Sequence, residues 1–255
     1  MQPATLRRRK DQGKYDIDSL ISVFADSFIS HVAYVCDGLP QCLPMTTLIQ
    51  KNGEVATAYL HGHPSSKLIE LVRKSDQNKD NGGLEADQKS AVRVCITSTK
   101  VDGLVLSSAP NGHEFNYRSA VIHGVCSLVC DRAEKTRLMS LLTNHVVPDR
   151  WQDVNPVSSF QISLVHVIRV EILSCSIKTR SGIPNIQPRN IEKDGPDRLQ
   201  PVWTGVVPLY DVLGNPIASG LTDDASIPPR LLRYVEERNE SHRLHAETAA
   251  STILD

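Results

Sequence analysis

At 255 residues, with 40% hydrophobic and 22% charged residues, the chain has the composition of an ordinary globular protein with one sizeable core. Its 28 Lys and Arg balance 29 Asp and Glu, a net charge of -1 that excludes the basic excess of a nucleic-acid-binding domain and leaves a small molecule as the expected partner. No stretch approaches the roughly 20 apolar residues of a membrane span, and the opening MQPATLRRRKDQGKYD has no secretory core, so a cytoplasmic protein with no membrane partner is expected.

Residues 1–14 read as a basic N-terminal arm, and the main domain is expected over 15–227. Ile17, Leu20, Ile21, Phe24 and Phe28 recur at helical spacing behind Asp16, a residue suited to an N-cap, so 16–28 is predicted as an amphipathic helix. HVAYVC and QCLPMTTLIQ flank the turn residues DGLP, and Asn52-Gly53 is a hairpin signal ahead of VATAYLH, which together predict an antiparallel meander. Helical spacing returns in SSKLIELVR, residues 65–73. The polar run 74–90 is expected to be an exposed insertion loop.

AVRVCITSTKVDGLVLSS and RSAVIHGVCSLV resume the β pattern around APNGHEFNY. Asp131 is placed to cap a helix through Leu138, Leu141 and Leu142, and SLVHVIRVEILSCSIKT predicts a long last strand. Residues 184–200 read as a polar excursion before PVWTGVVPLYDV, and 228–255 as a charged, helix-compatible tail. Short strands joined by hairpins, with three helices among them, predict a mainly β (α+β) fold built on a small antiparallel barrel, and they disfavour a parallel βαβ sheet. The six cysteines lie mostly in apolar runs with no CxxC pair, which predicts reduced, buried thiols.

YLHGHPSSKL, residues 59–68, carries the most suggestive chemistry. A strand there turns into a helix whose first amides are free, and Ser65, Ser66 and Lys67 add two hydroxyls and a cation, a grouping suited to a phosphate. The same residues also suit an N-cap followed by a solvated lysine, and sequence leaves both readings open. His61-Gly62-His63 alternates as zinc ligands on a strand would, but the further ligands have no recognisable spacing, so no metal is expected. No nucleophile elbow is present, and the cysteines lie where a thiolate is disfavoured, so any hard chemistry is expected to belong to a cofactor.

RRRKDQGKYD, HVAYVCDGLPQCLPM, AYLHGHPSSKL, KVDGLVLSSAPNGHEFNYRSAVIHG, VPDRW and PVWTGVVPL occur in the order and near the spacing of one known group. Over about residues 7 to 212 the chain resembles the flavin-nucleotide-binding proteins related to pyridoxamine 5′-phosphate oxidase, a group that includes the nitroimidazole-resistance reductases. The resemblance implies an FMN-binding split barrel with flanking helices, and a homodimer with one flavin in each of two clefts. It implies that Ser65, Ser66 and Lys67 hold the FMN phosphate, with Tyr59, Leu60 and His61 on the strand leading there. Pro44, Met45, Thr46 and Thr47 are similar to the strand facing the isoalloxazine edge. Asn116, Tyr117, Arg118 and Ser119 match the segment that closes over the cofactor, and Trp203 the tryptophan that reaches it.

The oxidases carry an Arg and a His soon after the matching tryptophan, where this chain has TGVVPLYD, and an arginine where Ser66 stands; oxidation of vitamin B6 is therefore not expected. The expectation is an FMN-dependent oxidoreductase passing electrons from reduced flavin to a small organic acceptor, with His61 as proton donor and NAD(P)H as candidate electron donor. The rival expectations are a non-catalytic flavin carrier, and a haem protein with iron on His61, His63 or His123.

Overall fold

The computed structural model describes residues 2–3, 5–81, 91–185, 202–222 and 226–253. Among them are ten strands: β1 (Gln2–Pro3), β2 (Gly13–Lys14), β3 (Ser30–Cys36), β4 (Leu39–Met45), β5 (Thr47–Asn52), β6 (Val55–Gly62), β7 (Arg93–Leu106), β8 (Glu114–Leu128), β9 (His166–Arg180) and β10 (Gly205–Pro208). The helices are α1 (Ile17–Ala25), α2 (Lys67–Asn81), α3 (Arg132–Val146), α4 (Arg150–Asp153), α5 (Ser159–Leu164) and α6 (Pro229–Ser251). Seven strands follow the order β4-β3-β7-β8-β9-β6-β5. The expected mainly β, antiparallel architecture with flanking helices is what is observed. No helix among the described residues is long and apolar enough to cross a membrane.

The chain forms two compact units, one of residues 1–99 and 119–178, the other of residues 100–118 and 179–255. In the first unit the two hairpins follow from their turn residues. Asp37 and Gly38 both have positive φ (51° and 77°), as a type I′ turn between Cys36 and Leu39 requires. In the second hairpin Gly53, at φ 60°, takes the first position of the two-residue loop between Asn52 and Val55, the position where a II′ turn wants glycine.

Strand alternation then sorts β6 between two apolar clusters. Ala58 and Leu60, both fully buried, join the main core with Leu20, Phe24, Ile69 and Ile168, whereas Tyr59 faces a smaller cluster with Leu138, Val129 and Val167. α1 and α3 both pack on β5. Their caps are the expected ones: Asp16 accepts from the Ser19 amide and Asp131 from the Glu134 amide, each at 2.7 Å.

Several expectations need correction. Residues 74–81, read as exposed loop, continue α2, because Ser75 is buried and the Asp76 carboxylate accepts from the Leu128 amide at 2.7 Å. Residues 82–90 and 186–200 of the expected loops lie outside the described residues. The strand read over 41–50 breaks at Thr46, and the basic arm is not wholly free, since Gly13 and Lys14 pair with Lys178 and Ile177. The six α-helices among the described residues exceed the three expected; α4 and α5 are too short to show a period. All six cysteines are free, but Cys42 and Cys130 are exposed.

In the second unit β10 pairs antiparallel with Gly103–Leu106, and the expected tail is one 23-residue helix, α6. Its polar interior is densely paired. Arg118 grips Asp102 through two hydrogen bonds at 2.7 and 2.9 Å, with His245 Nε2 at 3.5 Å from the same carboxylate. Asp211 gathers Lys100, Arg238 and His242.

Candidate functional site

The β6–α2 corner lies in the first unit. Thr47 pairs with Leu60 and Leu48 with Tyr59, so the segments 44–47 and 59–61 are brought side by side. A Cβ on Gly62 would stand 3.1 Å from Ile69 Cδ1 and 3.7 Å from Met45 Cε, which puts Met45 against the start of α2. The corner is a tight turn: the Ser66 amide donates to the His63 carbonyl at 2.9 Å, and Ser66 caps α2 by accepting from the Glu70 amide at 3.0 Å. The first amides of α2, from Lys67 onward, are left free of intrahelical partners by helix geometry. His63 is off the strand, with Nδ1 at 2.6 Å from Ser65 Oγ and accepting from the Ser65 amide at 3.2 Å, so it does not face the same way as His61.

Polar groups at this corner are unevenly satisfied. The Thr47 hydroxyl is buried with no partner among the described residues, and so is that of Ser30, whose residue pairs with Met45. An orphaned buried hydroxyl costs about 1–3 kcal/mol unless something supplies its hydrogen bond. Lys67 is exposed and makes a 3.3 Å ion pair with Glu70, whose hydrogen bond lifts the ammonium pKa above its ordinary value. Asp37 stands close enough to add to that shift. Thr46 donates to the Phe28 carbonyl at 3.3 Å, and Ser119 to that of Lys178 at 3.3 Å.

Asn116, Tyr117, Arg118 and Trp203 belong to the second unit, whereas Ser119 falls in the first. Asn116 is fully buried and committed on both sides of its amide: it accepts from Arg180 and donates to the Ala249 carbonyl of α6 at 3.2 Å. Arg118 is held by Asp102, and Tyr117 precedes it on β8. Trp203 is 66% exposed, and its ring lies so close to Gly205 that a Cβ there would be 2.7 Å from it. The structure thus brings together Pro44–Thr47, Tyr59–His61 and Ser65–Lys67 in the first unit, while Asn116, Arg118 and Trp203 take part in the second unit's own packing.

One feature of the first unit escaped the sequence reading. His61 borders a cavity of about 370 Å³ with Met139, Leu142, Thr143 and Val146 of α3, Arg150 of α4, and Val165. His61 shares the Tyr59 face of β6, and part of its ring is open to solvent. Desolvation against the apolar wall lowers its pKa below the ordinary histidine value, so the imidazole is neutral at pH 7 and carries a lone pair on one nitrogen. The signal that could have found the cavity is the second stripe on α3, where Met139, Thr143 and Val146 follow at i, i+4 and i+7, together with Arg150 in VPDRW.

The family model for pyridoxamine 5′-phosphate oxidase matches residues 16–179. The chain belongs to the pyridoxamine 5′-phosphate oxidase-related family. No curated protein matches it. Among solved structures, the flavocytochrome Anf3 from Azotobacter vinelandii is similar at 22% identity and TM-score 0.70, over 90% of this chain and 94% of that one. The FAD and heme binding protein from Mycobacterium smegmatis is similar at 21% identity and TM-score 0.69, over 88% and 97%. A 5-nitroimidazole antibiotic resistance protein from Bacteroides thetaiotaomicron is 21% identical at TM-score 0.47, over 65% and 86%. The first two likenesses establish the fold, the split barrel of the pyridoxamine 5′-phosphate oxidase-related family with flanking helices.

Proposed function

We propose that this chain is a flavin-binding redox protein in which the β6–α2 corner holds the flavin phosphate. The observation that carries the reading is the convergence at one corner of free helix amides, the Ser65 and Ser66 hydroxyls and the Lys67 ammonium, beside the junction of β4 and β5 that bears Met45 and the Thr47 hydroxyl, which has no partner among the described residues. A bound flavin would supply one- and two-electron chemistry; the protein's part is to hold it and to exclude water. FMN is the expected form, with reduced flavin delivering electrons to a small organic acceptor and NAD(P)H as donor. In this reading the active species is a homodimer.

Purified protein should be yellow, and Ser66→Ala combined with Lys67→Ala should weaken FMN by about 10- to 100-fold, the loss of one or two charge-assisted contacts to a phosphate. Equilibrium dialysis against FMN and FAD separates the two nucleotides, and sizing reports the dimer. A protein that binds neither flavin ends this reading.

A second reading is favoured by the cavity. His61 is neutral, stands at an apolar wall and has no protein partner among the described residues, which is the state of a haem ligand better than that of a proton donor at pH 7. Of the other candidates, His63 is engaged with Ser65, and His123 lies 3.3 Å from Ser174 Oγ. The two solved structures that match about nine-tenths of this chain are described as a flavocytochrome and as an FAD and heme binding protein. A Soret band that forms with hemin and is lost in His61→Ala supports this reading; a spectrum indifferent to His61 refutes it.

A further inference from the structure

The cavity over β6 is apolar on every side but two. Met139, Leu142, Val146 and Val165 present hydrocarbon, and the Thr143 hydroxyl is turned back to the Met139 carbonyl at 2.9 Å, which uses its proton. The remaining polar groups are the His61 ring and the Arg150 guanidinium. Arg150 is weakly committed: its ion pair is with Asp153, one turn along the same short helix, at 3.9 Å, with 44% of the arginine side chain exposed. Such a pair contributes little, and a guanidinium carries five donors arranged as a fork that fits a carboxylate. The volume falls in the range of small-molecule sites, roughly 300–1,000 Å³.

We propose that this cavity binds an apolar molecule bearing a single carboxylate, with Arg150 gripping the carboxylate, the α3 side chains enclosing the hydrocarbon body, and His61 as the second polar contact. The charge decides the class. One cation faces the cavity, so a monoanion is matched, whereas a phosphate dianion would bring a charge that no other lining residue neutralises. An aromatic body suits walls of branched and thioether side chains. The site does not depend on flavin at the β6–α2 corner. A free aromatic acid presents this chemistry, and so does one of the two acid side chains of a haem when the other is left in solvent.

Calorimetric titration of the full chain with 2-naphthoate and with uncharged 2-naphthamide tests the proposal. The acid should bind at least about tenfold more tightly than the amide, and Arg150→Met should cost the acid about 10- to 100-fold while leaving the amide unchanged. Arg150→Lys should restore part of the loss. Val146→Trp, on the exposed rim, should block both ligands. Equal binding of acid and amide, or an acid indifferent to Arg150→Met, overturns the proposal. Displacement of naphthoate by hemin but not by hemin dimethyl ester identifies haem as the source of the carboxylate, and failure of hemin to displace it identifies a free acid. In Ser66→Ala/Lys67→Ala protein, flavin binding should be weakened about 10- to 100-fold and naphthoate binding kept, so failure of either reading is seen separately.

Discussion

The two units treat polar groups in opposite ways. In the second, the main polar clusters are paired: Asp102 with Arg118 and His245, Asp211 with Lys100, Arg238 and His242, Asn116 with Arg180 and the Ala249 carbonyl. In the first, the polar groups around β6 are left open, with hydroxyls on Thr47 and Ser30 that lack a partner among the described residues, an imidazole on His61 whose pKa desolvation lowers, and a guanidinium on Arg150 whose contact with Asp153 is stretched to 3.9 Å. Saturated polarity fixes a conformation, whereas unsaturated polarity costs stability and persists where a ligand completes it. The difference supports placing the proposed ligand sites in the first unit.

Breaking the saturated network should have the largest effect. Asp102 is buried, which by itself raises a carboxyl pKa, yet hydrogen bonds from His245 and Arg118 hold it below the ordinary range. Asp102→Ala removes a buried carboxylate that Arg118 grips through two hydrogen bonds, and chemical denaturation should show a loss of about 3–5 kcal/mol. A loss under 1 kcal/mol would mean that the network is slack. In the first unit Leu138→Ala removes a fully buried side chain from the cluster under Tyr59, and should cost about 2–4 kcal/mol in the same measurement.

The pH dependence should sharpen the contrast. Asp102 has a depressed folded pKa, so its contribution is complete above the unfolded value near 3.9 and is lost as pH falls through the folded one. His61 and His166 are also depressed, both mainly by burial, with Lys135 and Arg73 adding to the shift of His166. For these two the unfolded chain takes up protons first. Stability should therefore be flat above about pH 6.5, decline below it, and level off once the folded pKa is passed. Melting temperatures from pH 8 to 5 test this, and His61→Gln should reduce the slope; an unchanged slope would assign the whole effect to other groups. The smallest effect is expected at Arg150, where Arg150→Met should leave stability within about 0.5 kcal/mol.

Local chemistry made much of the first unit readable. The Asp16 and Asp131 caps, the Asp37-Gly38 and Asn52-Gly53 turns and the period-2 strands each depend on neighbours in sequence, and each appears where expected. The extension of α2 to Asn81 was hidden because its support, the contact of Asp76 with Leu128, comes from a strand some fifty residues away. The cavity was hidden for the same reason: its lining combines β6, α3, α4 and the residue before β9, and no single segment carries its pattern. Asn116 was noticed for its polarity, but polarity alone does not separate a ligand contact from a clamp on α6, and the partners decide.

The pairing of His61 with Val167 joins segments separated by more than a hundred residues. Closing so long a loop is slow compared with forming the β3–β4 and β5–β6 hairpins, whose strands are adjacent in sequence. During synthesis the hairpins can therefore form early, while β6 gains its second neighbour only after β9 has left the ribosome. A chain stalled before residue 166 should accordingly display the two hairpins while β6 still lacks its β9 neighbour.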